Sequence, residues 1–555
     1  MTRQFSSMPG DRPAGNIHGT RSVAMGRRGM IATSQALASA AGLRVMSAGG
    51  NAIDAAVTAA AVLTVVEPSM TGIGGDLLAM VWDARSGAVH ALDSTGRSPH
   101  KATPGEYARR GLRQMPVDGP LTVDVPGVVD GWSQLLDRFG TISLAKALEP
   151  AVAYARDGFP VQEIIAANWH ESAGRLALDP AAARTFLPNG RAPRAGEIFV
   201  NPWLAATLDS IADGGRDAFY RGPIAQAIVA DMRRRDGLLD ERDLADHRAE
   251  WVEPLTTSYR GVDVLEMPPS TQGFVALEML NILEGFDMAA LGHGSPDHLH
   301  LVAEAKKIAF ADRAAYLADR DAVPAQAMAT LVSKSYAAAR RDEIDLRKAR
   351  GYRAGAVPGA VTTQGSVDFL ALDLGDTVYL TAADGDGNVV SLIQSLFASF
   401  GAGFVAGDTG IALHNRGSGF NLMANHPNEI GPHKRPLHTL VPAMLMKDGR
   451  PWASFGVMGG DNQVQAHAQI VTNLVDFGMN IQAAGETVRV RHGGGELFVE
   501  SGTSADVRDA LAARGHRLSD GRGMMGGFQG ILIDPDSGVL MGGSDPRKDG
   551  LAIGY

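Results

Sequence analysis

Apolar and polar positions along this chain repeat with two different periods, and the change between them divides it. Over roughly the first two-thirds, apolar residues recur every three or four positions, the spacing that gathers them on one helical face. Such runs predict helices over residues 34–47, 52–65, 131–138, 143–157, 202–212, 223–234, 273–283 and 296–318. Residues 52–65 are apolar nearly all round, which marks a central, buried helix; Asn51 is its N-cap, and Gly49-Gly50 closes the helix before it. Short strands are expected at 77–82 and 89–92, split by Ser86-Gly87, and a strand pair at 255–266.

Residues 340–366 break the pattern: charges cluster at Arg340-Arg341-Asp342-Glu343, then glycine and small residues follow, as in a flexible linker. Beyond it the period becomes two. Residues 378–383 and 389–396 flank Asp384-Gly385-Asp386-Gly387-Asn388, a strong hairpin signal. Further strands are expected at 440–446, 452–457, 497–500, 530–533 and 539–542, with an apolar helix at 464–477. No fixed-period repeat is present. Helices, a linker, then strands enclosing helices predict an α+β protein layered αββα, its single core built by both halves. The expected division is an N-terminal arm over 1–28, a helix-rich part over 29–376 and a strand-rich part over 377–555.

Composition narrows the function. A net charge of −10 offers no basic stripe for nucleic acid. Sixty-seven glycines, many in pairs, suit a site lined by main-chain amides. With no cysteine, disulfides, thiol nucleophiles and cysteine-ligated metals are excluded. The N-terminus has no apolar core like that of a signal peptide, and the longest apolar stretch, 55–66, is too short to span a bilayer. A cytoplasmic location without membrane contact is the expectation.

Thr377 stands at the head of the first strand after the linker, behind Gly375-Asp376. A threonine hydroxyl needs a base beside it, and an N-terminal threonine carries one in its own α-amine. An α-amine pKa of about 7.7–8.0 suits proton transfer near neutrality. For a threonine taken alone, a β-branched residue starting a strand is the better reading.

Several blocks in order change that. They are Gly49-Gly50-Asn51-Ala52-Ile53-Asp54-Ala55-Ala56, Glu67-Pro68 with Gly72-Ile73-Gly74-Gly75-Asp76, Val125-Pro126-Gly127 and Pro268-Pro269-Ser270-Thr271-Gln272-Gly273. Asp386-Gly387-Asn388, the run Gly431-Pro432-His433-Lys434-Arg435-Pro436 and Gly459-Gly460 complete the set. Over residues 29–555 the chain resembles the γ-glutamyltransferase family of N-terminal-nucleophile (Ntn) hydrolases. The resemblance implies a four-layer Ntn sandwich, no cofactor, and self-cleavage between Asp376 and Thr377 into two subunits that stay together. It implies Thr377 as nucleophile, Ser395 as its hydrogen-bonding hydroxyl, and the amides of Gly459 and Gly460 as the oxyanion site. Whether the heterodimer pairs again is left open.

The γ-glutamyl grip of the family is largely replaced. Its carboxylate-binding arginine falls on Thr95, with Arg97 two positions on as a candidate substitute. An asparagine becomes Phe397, the ammonium-binding Gln or Glu and the Asp that follows it become Arg416 and Gly419, and the first of two serines becomes His438, while Thr439 keeps a hydroxyl. A lid segment between Phe420 and Gly431 is missing. Arg416, His438 and Arg97 would favour a carboxylate, so the expected substrate is a small amide with an anionic acyl group, of oxamate or glutaryl type, released to water or an amine. Three other readings stand beside this one: a genuine γ-glutamyl hydrolase or transpeptidase acting on glutathione, an unprocessed binding relative, and a phosphate binder using residues 72–76, which lack the lysine of a P-loop. His414, His426, His433 and His438 fit no metal motif, and no metal is expected.

Overall fold

The computed structural model describes residues 21–360 and 375–555, with the backbone only of Gly375 and Asp376. Residues 1–20 of the expected arm and 361–374 around the expected linker lie outside the described residues. Fourteen strands build two seven-stranded sheets. In chain order they are β1 (Ala24–Gly26), β2 (Gly29–Thr33), β3 (Asp76–Asp83), β4 (Ala88–Ser94), β5 (Glu250–Val252), β6 (Leu255–Tyr259) and β7 (Val262–Glu266). The second half supplies β8 (Gly375–Asp384), β9 (Val389–Ala398), β10 (Ala443–Lys447), β11 (Arg450–Met458), β12 (Gly527–Ile533), β13 (Leu540–Ser544) and β14 (Leu551–Gly554).

One sheet runs β14-β2-β8-β9-β3-β4-β5 and the other β1-β13-β12-β11-β10-β7-β6. Each mixes strands from before and after residue 376, as the expectation of one shared core requires. Between the sheets lies a layer of Met30, Leu78, Met80, Tyr379, Ile393, Leu440, Met444 and Ile531, all fully buried. Helices cover both outer faces. Ala52–Val66, capped by an Asn51/Asp54 capping box and buried along its whole length, packs on the first sheet. Gly273–Leu283 and Asn462–Val475 pack on the second. This is the four-layer αββα sandwich.

The helix starts follow the sequence closely because the signals were local: caps at Asn51 and Ser143, prolines at the starts of Pro202–Tyr220, Pro223–Arg234 and Pro296–Tyr316, the first of which runs past its expected end at 212 through a kink at Gly215. Sequence periodicity missed β2 and β14. Both are short, and Leu-Ala-Ile-Gly and Gly-Met-Ile-Ala-Thr carry no clear alternation, the latter being buried on both faces. It also missed Glu163–Leu176. Ala24–Gly26, inside the expected arm, pairs with β13. No described helix is long and apolar enough to cross a membrane.

The two sheets meet side chain to side chain along β8 and β11. Thr381 Oγ1 donates to Ser454 Oγ at 2.7 Å, and a Cβ on Gly456 would stand 2.4 Å from the Tyr379 ring. The same two strands carry Thr377 on β8 and lead β11 into the Gly459-Gly460 turn. Gly456→Ala is therefore expected to cost about 1–3 kcal/mol by overpacking, read as a lowered thermal unfolding midpoint.

Candidate active site

Thr377 sits where the β8–β9 ladder loses register. Asp376 pairs with Phe397 and Gly375 with Ala398, yet Val378 pairs with Gln394, so Thr377 falls at the irregularity between them. Such bulges re-aim a side chain. The Thr377 side chain is buried, and its hydroxyl donates to Ser395 Oγ at 3.2 Å. Ser395 Oγ also accepts the Phe397 N–H at 2.7 Å. Phe397 has a φ of +76°, a region that costs an L-residue about 1–2 kcal/mol. The bond to Ser395 and the Arg416 guanidinium, 4.2 Å above its ring, hold it there.

Arg416 is 1% exposed. Its Nε donates to Asp76 Oδ2 at 3.2 Å and its Nη1 to Thr439 Oγ1 at 3.2 Å, while Nη2 is buried with no partner among the described residues. Burial lowers its pKa to about 10, against the pull of Asp76, so it remains a cation at neutral pH. An unpaired buried N–H of a cation is costly unless something is meant to meet it.

Asp76 is the hub. It opens β3 opposite Ser395, and its Oδ1 accepts the Gly96 N–H at 3.0 Å. Its Oδ2 takes Arg416 and, at 3.1 Å, His438 Nε2. His438 Nδ1 faces the Leu440 N–H at 3.5 Å, which fixes the neutral tautomer with its proton on Nε2. Burial, then Arg416, bring the His438 pKa down to about 4, so it adds no charge at neutral pH. His438 is thus a neutral prop for Asp76 rather than a second cation in the pocket, a correction to the sequence reading. His414 also keeps its proton on Nε2, donating to the Asp124 carbonyl at 3.0 Å, while its Nδ1 accepts the Arg416 N–H at 3.2 Å.

Burial pushes the Asp76 carboxyl up, but His414, His438 and Arg416 outweigh it and hold it well below the carboxylate range. A folded pKa below the unfolded value of about 3.9 gives stability that is present above that pH and lost as pH falls through the folded value. Asp76→Asn should therefore flatten the loss of stability below about pH 4 and cost about 3–5 kcal/mol at pH 7 by stranding Arg416. Acid and thermal unfolding followed by circular dichroism check both. Asp124, by contrast, is driven well above its usual value by burial and by Asp76, and its Oδ2 has no partner among the described residues.

Gly459 and Gly460 form the turn after β11, with φ of +122° and +54°. A Cβ on Gly459 would meet Gly526 Cα at 3.1 Å. Their carbonyls turn away, Gly459 O accepting from Asn462 N–H at 3.0 Å and Gly460 O from Gln463 N–H at 3.2 Å. Neither glycine N–H has a partner among the described residues. The turn is braced from behind: Gln272 Nε2 donates to Gly460 O at 3.2 Å and to Thr439 O at 2.9 Å, and Arg313 links Gln272 Oε1 to Asp461.

Arg97 is spent elsewhere. It pairs with Glu250 at 3.0 Å and Asp319 at 3.3 Å and donates to the His433 carbonyl, and no described hydrogen bond joins it to the Arg416–Asp76 group. The structure thus gathers Thr377, Ser395, Phe397, Arg416, His438 and Thr439 and leaves Arg97 out; the Asp376 side chain lies outside the described residues. Sequence reasoning assigned no role to Asp76, Gln272 or Asp124. The signal was an acid closing the apolar, glycine-rich run at 72–76 and a glutamine inside the block at 268–273.

The model of the gamma-glutamyltranspeptidase family matches residues 38–555. The chain belongs to that family. Among its relatives in the gamma-glutamyltranspeptidase family is the glutathione hydrolase-like YwrD proenzyme of Bacillus subtilis (strain 168), 39% identical over 96% of this chain and 99% of that one. The acylase ACY 1 proenzyme of Pseudomonas sp. (strain SE83) is 38% identical over 96% of this chain and 94% of its own. The crystal structure of cephalosporin acylase from Bacillus halodurans superposes with a TM-score of 0.90 at 40% identity, covering 99% of both chains. As a gamma-glutamyltranspeptidase-family member with this fold, the chain is an Ntn-type amidohydrolase, and the proenzyme relatives imply a precursor processed into two subunits.

Proposed function

We propose that the chain cuts itself between Asp376 and Thr377 and then hydrolyses, or transfers the acyl group of, small amides whose acyl part carries a carboxylate. In the first event Thr377 Oγ attacks the carbonyl of residue 376, the C–N bond breaks as the ester forms and frees the Thr377 α-amine, and water then opens the ester to release the residue-376 carboxylate and the Thr377 hydroxyl. In turnover the same hydroxyl attacks the substrate carbonyl while that amine takes its proton. The N–H groups of Gly459 and Gly460 receive the oxyanion, and one such donor is worth about 3–4 kcal/mol. The amine then protonates the departing nitrogen as the C–N bond breaks. Water or an acceptor amine releases the acyl group from Thr377.

The observation that carries the substrate class is the buried Arg416 Nη2, without a partner among the described residues and one ring away from the Thr377–Ser395 pair. A carboxylate on the acyl chain satisfies it and adds charge-assisted bonds. Phe397 supplies an apolar wall. Glutathione-type hydrolysis is the second reading, suggested by the name of the Bacillus relative. It fits less well, because an ammonium would meet Arg416, while Asp76 is committed to Arg416 and His438 and Asp124 is pushed toward its neutral acid. The test is a panel of glutaryl, oxamic and γ-glutamyl amides offered to the purified, processed protein. The anionic amides without an α-ammonium are expected to give the higher kcat/KM; a γ-glutamyl anilide turned over faster than both would overturn the proposal.

A further inference from the structure

Far from Thr377 in the sequence, three potential metal ligands converge on the outer helix layer. His300 and Glu304 stand one turn apart on Pro296–Tyr316, and His516 arrives from the loop after Ala505–Ala513. His300 Nδ1 and His516 Nε2 are 2.8 Å apart, and one ligand atom from each of His300, Glu304 and His516 lies within 4.8 Å of the others. All three residues are buried.

The surroundings orient each group. His300 Nε2 donates to the Asp345 carbonyl at 2.8 Å, so Nδ1 turns a lone pair toward His516. A second ring nitrogen tied to a carbonyl is the usual outer-shell partner of a metal-bound histidine. Glu304 Oε2 accepts from Tyr352 Oη at 2.6 Å and from the Arg350 N–H at 3.1 Å, while Oε1 pairs with Lys307.

We propose that His300 Nδ1, Glu304 Oε1 and His516 Nε2 form a binding site for a divalent transition-metal ion of the zinc class. Two imidazoles and one carboxylate are a ligand set that zinc accepts in tetrahedral geometry, with Zn–N of about 2.0–2.1 Å and the fourth position left to water. Nitrogens at that distance and a tetrahedral angle stand about 3.4 Å apart, so the two nitrogens, now 2.8 Å apart, must part by more than half an ångström. The His516 proton moves from Nε2 to Nδ1 as the lone pair turns to the metal, and no net proton is released. Lys307, whose Nζ now pairs with Glu304 Oε1, must swing away; its Nζ already donates to the Arg350 carbonyl at 2.6 Å, which remains a partner.

His300 and Glu304 precede the proposed cut and His516 follows it. The ion would therefore tie the two subunits together, a role that rests on the proposed cleavage, whereas metal binding itself does not. The experiment uses untagged full-length protein, stripped with chelator and titrated with Zn²⁺ by calorimetry, with Co²⁺ absorption as an optical readout. Expected are one ion per chain, visible bands of four-coordinate Co²⁺, a thermal midpoint raised by several degrees with Zn²⁺, and at least a hundredfold weaker binding in both His516→Ala and Glu304→Gln. Failure of the folded wild type to bind either ion, or wild-type affinity retained in either variant, overturns the proposal. If neither variant folds, the Co²⁺ spectrum of the wild type decides.

Discussion

Thr377→Ala is expected to run as one uncut band of about 58.3 kDa on a denaturing gel, where the wild type gives two. Two losses combine in this variant. No hydroxyl remains to shift the peptide to an ester, and no free α-amine then appears to act as base. Amide turnover should fall by at least ~10³-fold, to what an oxyanion site and binding alone supply. Thr377→Ser separates the two requirements, since it keeps a hydroxyl that can still reach Ser395 and should still cleave, more slowly. Intact-mass spectrometry gives the processing state, and a glutaryl amide assay gives the rate. Full activity in an uncut Thr377→Ala protein would end the proposed mechanism.

The second large effect is expected at Arg416. Lysine keeps the positive charge that Asp76 needs but not the planar fork that reaches Asp76, Thr439 and a substrate carboxylate at once. Arg416→Lys should lower kcat/KM for an anionic acyl amide by about 30–150-fold, the worth of a charge-assisted hydrogen bond at about 2–3 kcal/mol. For an uncharged acyl amide of similar size the fall should stay within about fivefold by the same reasoning. Equal losses on both substrates would mean that Arg416 only supports Asp76. Self-cleavage, which involves no substrate carboxylate, serves as an internal control for folding.

Much of the architecture was legible because its signals are local. The apolar run at 52–65 could only be an interior helix, and Asp384 to Asn388 between two alternating runs could only be a hairpin. The block order identified the family, and the family brought the αββα layering with it. What the sequence hid is what depends on three-dimensional pairing. Arg97 and Arg416 look equally available in a string, yet Glu250 and Asp319 neutralise the first while the second keeps an unused N–H. His438 reads as a cation until Asp76 and its own burial are seen. Asp76 itself reads as the end of a glycine-rich loop, because its partners lie more than three hundred residues away along the chain.

The pairing of Gly375 with Ala398 and of Asp376 with Phe397 bears on maturation. Scission at the proposed bond would leave those two residues as a short tail still paired with the strand that carries Phe397. A broken bond and a vacant pocket are then separate events, because the tail must peel away before a substrate can take its place. Newly cut protein would pass through a silent interval in which the gel already shows two pieces and the assay shows nothing.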